Sequence, residues 1–121
     1  MEQNGPVAVS AQARARGAYP HVAESGAAPD KASTMDGIAT ALSFPDWSAR
    51  NLDALYDCLT DLSWLPAGEH VLIWVGWDAL KQAQPRAYLA IHGVLSDAVR
   101  ALAPGGERAD GRTLTVVLDE A

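Results

Sequence analysis

Two short, largely apolar runs stand out in the second half of the chain. Val71–Val75 reads VLIWV and is followed by Gly76, and Thr113–Leu118 reads TLTVVL and is preceded by Gly111. A strand with one wet face alternates apolar and polar residues, whereas a strand covered on both faces is apolar throughout. The two runs therefore predict buried strands of a parallel sheet with helices packed on it.

Four segments place apolar residues at the three- and four-residue spacing of a helix face. They run from about residue 30 to 43, from Asn51 to about Leu62, from Trp77 to Gln84 and from about Arg86 to Ala103. Asp30 or Ser33 is expected to cap the first helix and Asn51 the second, because short polar side chains satisfy the first free N–H groups of a helix.

The first quarter of the chain adds one strand and a tail. Residues 18–24 predict a short strand. Pro20 confines this strand to a sheet edge, or itself to the first residues of the strand, because proline lacks an N–H to donate. Residues 1–18 show no sustained period and are expected to form a flexible tail. The order β-α-α-β-α-α-β predicts an α/β fold, a small three-stranded parallel sheet packed with about four helices, in a single domain over residues 19–121.

Composition fits one globular domain with an acidic surface. The chain has 121 residues, of which 49% are hydrophobic and 20% charged, and its formal net charge is −6. A negative charge disfavours nucleic-acid binding, which requires a cationic surface, and suits a basic partner. We therefore expect a protein that binds neither nucleic acid nor membrane.

The termini and the cysteine count predict a cytoplasmic location. The apolar run Val7–Val9 is far too short for a secretory signal, and no stretch of the sequence resembles a membrane span. Cys58 is the only cysteine, so an internal disulfide is impossible, as a reducing compartment permits. We expect Cys58 to be a buried thiol within the second helix.

The candidate chemistry lies on the polar side of the second helix. Asp53, Asp57 and Asp61 follow one another at four-residue spacing, so they form one acidic row about 12 Å long. Like charges at this spacing destabilise a helix, which makes the row notable, although a merely solvated face explains it equally well. Trp47, in the preceding loop, favours a partner-binding surface unless its ring folds back onto the core.

The segment around this row resembles a known family. Phe44–Leu62 reads FPDWSARNLDALYDCLTDL, and its central string NLDALYDCLT with Pro45 ahead of it is similar to the signature of the barstar family. Members of that family are intracellular inhibitors of small secreted microbial ribonucleases. The order of elements agrees as well, so the resemblance extends over about residues 19–120.

The resemblance implies a mechanism and a set of contact residues. In that family the loop and second helix block the active site of a basic, extracellular-type ribonuclease in a 1:1 complex. By position, Asp53 and Asp57 correspond to the inhibitory carboxylates, Trp47 to an aromatic contact, Asn51 to a cap and loop brace, and Asp97 to a peripheral acid, while Asp61 extends the row. The resemblance also implies no cofactor and no catalysis. A monomeric free chain is the default expectation for a single acidic domain with no unusual apolar face.

Departures from the family pattern keep two alternatives open. Ala49 stands where the family usually has glycine, Arg50 adds a cation, and Ser48 replaces a residue that is often aromatic. These changes suit a barstar-like binding module for a different toxin or regulatory partner. Paired carboxylates also suit a carboxylate- or metal-dependent hydrolase, but no second ligand cluster is visible, since the three histidines are scattered singly.

Overall fold

The computed structural model describes residues 6–24, 26–46 and 49–119. This part of the chain contains five helices and three strands. Their order is α1 (Pro6–Ala15), β1 (Tyr19–Ala23), α2 (Lys31–Ala41), α3 (Leu52–Asp61), β2 (Gly68–Trp74), α4 (Trp77–Ala83), α5 (Pro85–Leu102) and β3 (Arg112–Leu118). None of these helices is both long and apolar enough to cross a membrane.

The three strands form one parallel sheet in the order β1-β2-β3. In the centre, His70 of β2 lies opposite Tyr19 of β1 and Leu114 of β3. Pro20 lies on an edge strand, as its missing N–H requires. The predicted α/β fold with a three-stranded parallel sheet is confirmed.

One face of the sheet carries the main core. Leu72 and Trp74 project from β2 on this face, and α2, α3, α4 and α5 all pack over it. The largest fully buried members of the core are Trp74, Ile38, Leu42, Leu59, Leu62, Leu72, Leu80, Ile91, Leu95 and Leu102. Each such leucine or isoleucine stabilises the fold by roughly 1.5–3 kcal/mol through removal of its side chain from water.

The opposite face of the sheet is covered by α1, a helix that the sequence pattern does not predict. Ala13 is buried, and it packs together with Ala18, Val71 and Ile73 in a second, smaller core. The structure thus differs from the expected flexible tail, because Pro6–Ala15 form a helix. The boundary of the folding unit at residue 19 stays a prediction.

An ion pair fixes the chain just after α1 to the central strand. The Arg16 guanidinium donates to both carboxylate oxygens of Glu69, at 3.1 and 2.9 Å, and the Thr115 hydroxyl donates to the same carboxylate at 2.7 Å. These contacts lower the pKa of Glu69 from 4.5 to about 2, and the hydrogen bond from Arg16 is the largest cause. Glu69 therefore links the α1 segment, β2 and β3.

A glycine allows α2 to approach the chain that follows β1. A Cβ on Gly37 would lie 2.4 Å from the carbonyl oxygen of Glu24, which is far inside van der Waals contact. Glycine at this position destabilises the helix itself by about 1 kcal/mol relative to alanine. The close approach of Glu24 explains why glycine occupies position 37. At the start of α2, Asp30 and Ser33 form a reciprocal capping box.

The Glu69 contacts predict an acid-sensitive contribution to stability. A carboxyl whose folded pKa is depressed stabilises the fold above its unfolded pKa, and this contribution is lost as the pH falls from about 4.5 to about 2. We expect Glu69→Gln to lower the free energy of unfolding at neutral pH and to weaken its dependence on pH over that interval. Urea unfolding measures both effects. Glu24→Gln, at an exposed site, is the matched control, and an acid dependence equal to that of wild type would contradict the assignment.

Candidate protein-binding surface

Helix α3 is fixed at its start by the predicted cap. Asn51 has an extended backbone conformation, and its side-chain Oδ1 accepts a hydrogen bond from the Ala54 N–H at 2.8 Å. On the inward face of the helix, Leu55, Leu59 and Cys58 are buried. The helix is therefore held along its length by the core, and Cys58 is the buried thiol that the sequence predicts.

The outward face of α3 carries the acidic row. Asp53, Asp57 and Asp61 are all exposed on this helix. Helical geometry places successive members about 6 Å apart along the axis. Asp53 lies in the first turn, where a carboxylate complements the helix dipole. The structure thus gives the three residues one common face, and their role in binding stays a prediction.

The loop ahead of α3 is described in part. Trp47 and Ser48, including the predicted aromatic contact, lie outside the described residues. Arg50 is exposed, and its Nε donates to Asp36 Oδ1 of α2 at 2.7 Å. The positive charge of Arg50, which lies just ahead of the acidic row, is therefore paired with a carboxylate of α2.

Tyr56 of α3 contacts two charged residues in the segment that follows α5. It is half-buried, and its hydroxyl donates to the Glu107 carboxylate at 2.9 Å, which raises the pKa of the Tyr56 phenol. The Arg108 guanidinium lies 5.7 Å from the centre of the same ring and donates to Thr60 Oγ1. Glu107 is a further acid near α3, and the sequence gives no local signal for it because 51 positions separate it from Tyr56.

Asp97 lies beside this cluster on α5. It is exposed and forms an ion pair with Arg100, one turn along the same helix. Together with Tyr56, Ala101 and Glu107, these two residues line an open groove of about 350 Å³. The structure therefore brings Asp97 to the α3 side of the molecule, next to Tyr56.

Metal-ligating side chains are not clustered in the part of the chain that the structure describes. In residues 6–24, 26–46 and 49–119, no three His, Cys, Asp or Glu side chains are arranged to hold a metal ion. The arrangement on α3 is instead an exposed set of fixed negative charges on a rigid helix. Such a surface can bind cationic groups of a partner through charge-assisted hydrogen bonds.

Comparison with known proteins identifies the family. The family described as Barstar (barnase inhibitor) matches residues 20–119, which is most of the chain. The chain belongs to the barstar family. This confirms the resemblance of the Phe44–Leu62 segment, and it implies, at the family level, an inhibitor of barnase-type ribonucleases. A search of curated proteins finds no match.

The family match includes α3 but not α1. The barstar match includes the whole of α3 and the loop before it, whereas α1 (Pro6–Ala15) lies outside the matched residues. Members of the family are inhibitors rather than enzymes. Helix α3 therefore lies within the part of the chain that matches the barstar family, whereas the match does not extend to α1.

The cap at Asn51 is open to a direct stability test. Replacing Asn51 with alanine leaves the Ala54 N–H without its 2.8 Å acceptor. We expect Asn51→Ala to lower the free energy of unfolding by about 1 kcal/mol, as other cap removals do. Asn51→Asp, which keeps an acceptor oxygen, is the matched control and should stay near wild type in urea unfolding. Equal stability of the two variants would show that the cap contributes nothing.

Proposed function

We propose that this chain inhibits a small basic ribonuclease by placing α3 and the preceding loop in the enzyme's active site, one inhibitor to one enzyme. The observation that carries the proposal is the exposed row Asp53, Asp57 and Asp61 on a core-anchored helix of a barstar-family chain. The free inhibitor acts as a monomer in the cytoplasm and requires no cofactor.

The chemistry of a ribonuclease site explains why carboxylates suit this task. Such a site holds the phosphates of RNA with cationic side chains, and carboxylate oxygens can occupy the same positions with short, charge-assisted hydrogen bonds. Asp57, in the middle of the row, is the principal anchor, and Asp53 is the second. Asp61 extends the negative charge toward the end of the helix.

The remaining predicted residues support this contact from its margins. Trp47 supplies an apolar contact from the loop, and Asn51 holds the start of the helix through its cap. Asp97 adds a peripheral acid from α5, beside the half-buried ring of Tyr56. Exposed acids on α3 and on α5 then contact the same ribonuclease.

Rigidity of α3 favours tight binding. Leu55 and Leu59, on the inward face, are 3% and 0% exposed, so the helix is already fixed before the partner arrives. Little conformational entropy is then lost when the complex forms, which is a main route to high affinity at a given interface area. A flexible acidic segment of the same charge would bind more weakly.

Net charge adds to the rate of encounter. The chain carries a formal charge of −6, and a basic enzyme is drawn to such a surface by long-range attraction that salt screens. Arg50 opposes this attraction locally, but its ion pair with Asp36 reduces the effect. Association should therefore be fast at low ionic strength.

Replacement of the central carboxylate tests the proposal. We expect Asp57→Asn to weaken binding to a small basic microbial ribonuclease by about 2–5 kcal/mol, because the enzyme's cations then lose their partner. This range derives in part from the barnase–barstar complex itself, so it is an expectation carried from the family. The measurement is inhibition of RNA cleavage during titration, with saturation at one equivalent for the wild type. Asp78→Asn, an exposed aspartate in the first turn of α4, is the matched control.

The other outcomes separate the alternatives. Equal inhibition by wild type and Asp57→Asn would contradict the role of the acidic row. Absence of inhibition by the wild type would point to a barstar-like module for a different toxin, in keeping with Ala49 and Arg50 in the loop. Turnover of a phosphoester or glycoside that EDTA abolishes would instead indicate a metal-dependent hydrolase.

A further inference from the structure

Two histidines that are far apart in the sequence form a continuous hydrogen-bonded chain. His21 Nδ1 lies 3.1 Å from the Ala41 carbonyl oxygen, His21 Nε2 lies 3.0 Å from His70 Nδ1, and His70 Nε2 lies 2.8 Å from the Pro66 carbonyl oxygen. His70 is fully buried, and His21 is partly buried. All four ring nitrogens of the pair therefore have a fixed neighbour.

Counting protons shows what this chain requires. A carbonyl oxygen only accepts, so His21 Nδ1 and His70 Nε2 must both carry a hydrogen. The bond between the two rings needs one more hydrogen, on either His21 Nε2 or His70 Nδ1. Three hydrogens are thus needed, whereas two neutral imidazoles carry only two. With both rings neutral, one of the three contacts would bring two lone pairs together, whichever tautomers the rings adopt.

The acceptors around the pair suit a positive charge. Ala41 is the last residue of α2, and the carbonyl groups at a helix C-terminus carry the negative end of the dipole. The Leu42 carbonyl beside it accepts from the Trp64 indole, which leaves the Ala41 oxygen to His21. The ring of Tyr19 stacks on His70 with 5.1 Å between centroids, and an aromatic face attracts a cation.

Several charged groups on the packed elements have partners other than the two histidines. On β2, Glu69 is paired with Arg16. On β3, Arg112 donates to the Leu65 carbonyl and pairs with Asp110 at 3.2 Å. On α2, Asp36 pairs with Arg50.

We propose that His21 and His70 form a binding site for one proton, which the two rings share as a single buried imidazolium in the folded protein. A second proton is excluded, because it would place two N–H groups against each other between the rings. Burial, the largest cause, lowers the pKa of His21 and opposes a charge on its ring, whereas the Ala41 hydrogen bond acts in the opposite direction. The charge of His70 also lowers the pKa of His21, which agrees with the exclusion of a second proton.

The shared proton joins elements on both sides of the acidic helix. One end of the chain holds the last residue of α2, and the other holds Pro66, which follows α3. Loss of the proton at high pH leaves too few hydrogens for three bonds, so one of them must open. The histidine pair therefore connects Ala41 and Pro66, the two ends of the segment that contains α3, in a pH-sensitive manner. This connection does not depend on what the segment binds.

Nitrogen NMR of the full-length protein counts the protons directly. Two-bond correlations between ring nitrogens and ring hydrogens distinguish protonated from bare nitrogens in each histidine. At about pH 6, slightly below the ordinary histidine pKa of about 6.5, we expect three nitrogen-bound protons on the pair. Two protons at this pH, with both rings neutral, would overturn the proposal. So would two rings that each charge fully and independently at the ordinary value.

The His21→Gln variant provides a second test through the pH dependence of stability. This dependence has opposite signs with and without the shared proton. In His21→Gln, the amide donates to His70 and needs no extra proton, so His70 should show its neutral form. Below about pH 6.5 both unfolded histidines are charged, and above it both are neutral. If the folded wild type holds one proton, its stability relative to His21→Gln falls as the pH rises past about 6.5. A relative stability that rises with pH would contradict the shared proton, and His92→Gln on α5 is the matched control.

Discussion

Strand β2 must be covered on both of its faces, and the rest of the structure follows from this need. Leu72 and Trp74 point to one side and Val71 and Ile73 to the other, and all four are almost completely buried. Because the strands are parallel, each connection must cross back over the sheet, and each one carries two helices. These four helices pack on the main core face, and α1 covers the second face.

The position of the acidic row is a consequence of this architecture. Helix α3 lies in the first crossover, with Leu55 and Leu59 in the core, so its opposite side must face solvent. Three aspartates on that side weaken the helix through their mutual repulsion. A stable, core-anchored helix tolerates this destabilisation, and its carboxylates stay exposed to solvent.

The sequence predicted most elements because their signals were local. Apolar runs located β2 and β3, and a single polar residue, Asn51, located the start of α3. Helix α1 was missed because its buried contacts are made by small residues such as Ala13, which leave little apolar periodicity. The apolar run of β2 did indicate cover on both faces, but nothing in the pattern said which segment supplied it.

The site was predictable in its row of acids but not in its surroundings. The spacing of Asp53, Asp57 and Asp61 follows from helical geometry alone. The contacts Tyr56–Glu107 and His21–His70 join residues 51 and 49 positions apart, so only the tertiary fold creates them. Two histidines that look isolated in the sequence thereby become one hydrogen-bonded unit.

If α3 occupies the place of the RNA phosphate in the ribonuclease, a nucleotide in the active site must compete with the inhibitor. Competition measures this directly: the inhibitor is titrated into the enzyme by calorimetry at increasing concentrations of a nucleotide that binds the active site. We expect the apparent Kd of the inhibitor to rise linearly with the concentration of free nucleotide and to keep rising after the nucleotide saturates the site. An apparent Kd that stays constant while the nucleotide saturates the enzyme would show that the inhibitor binds elsewhere.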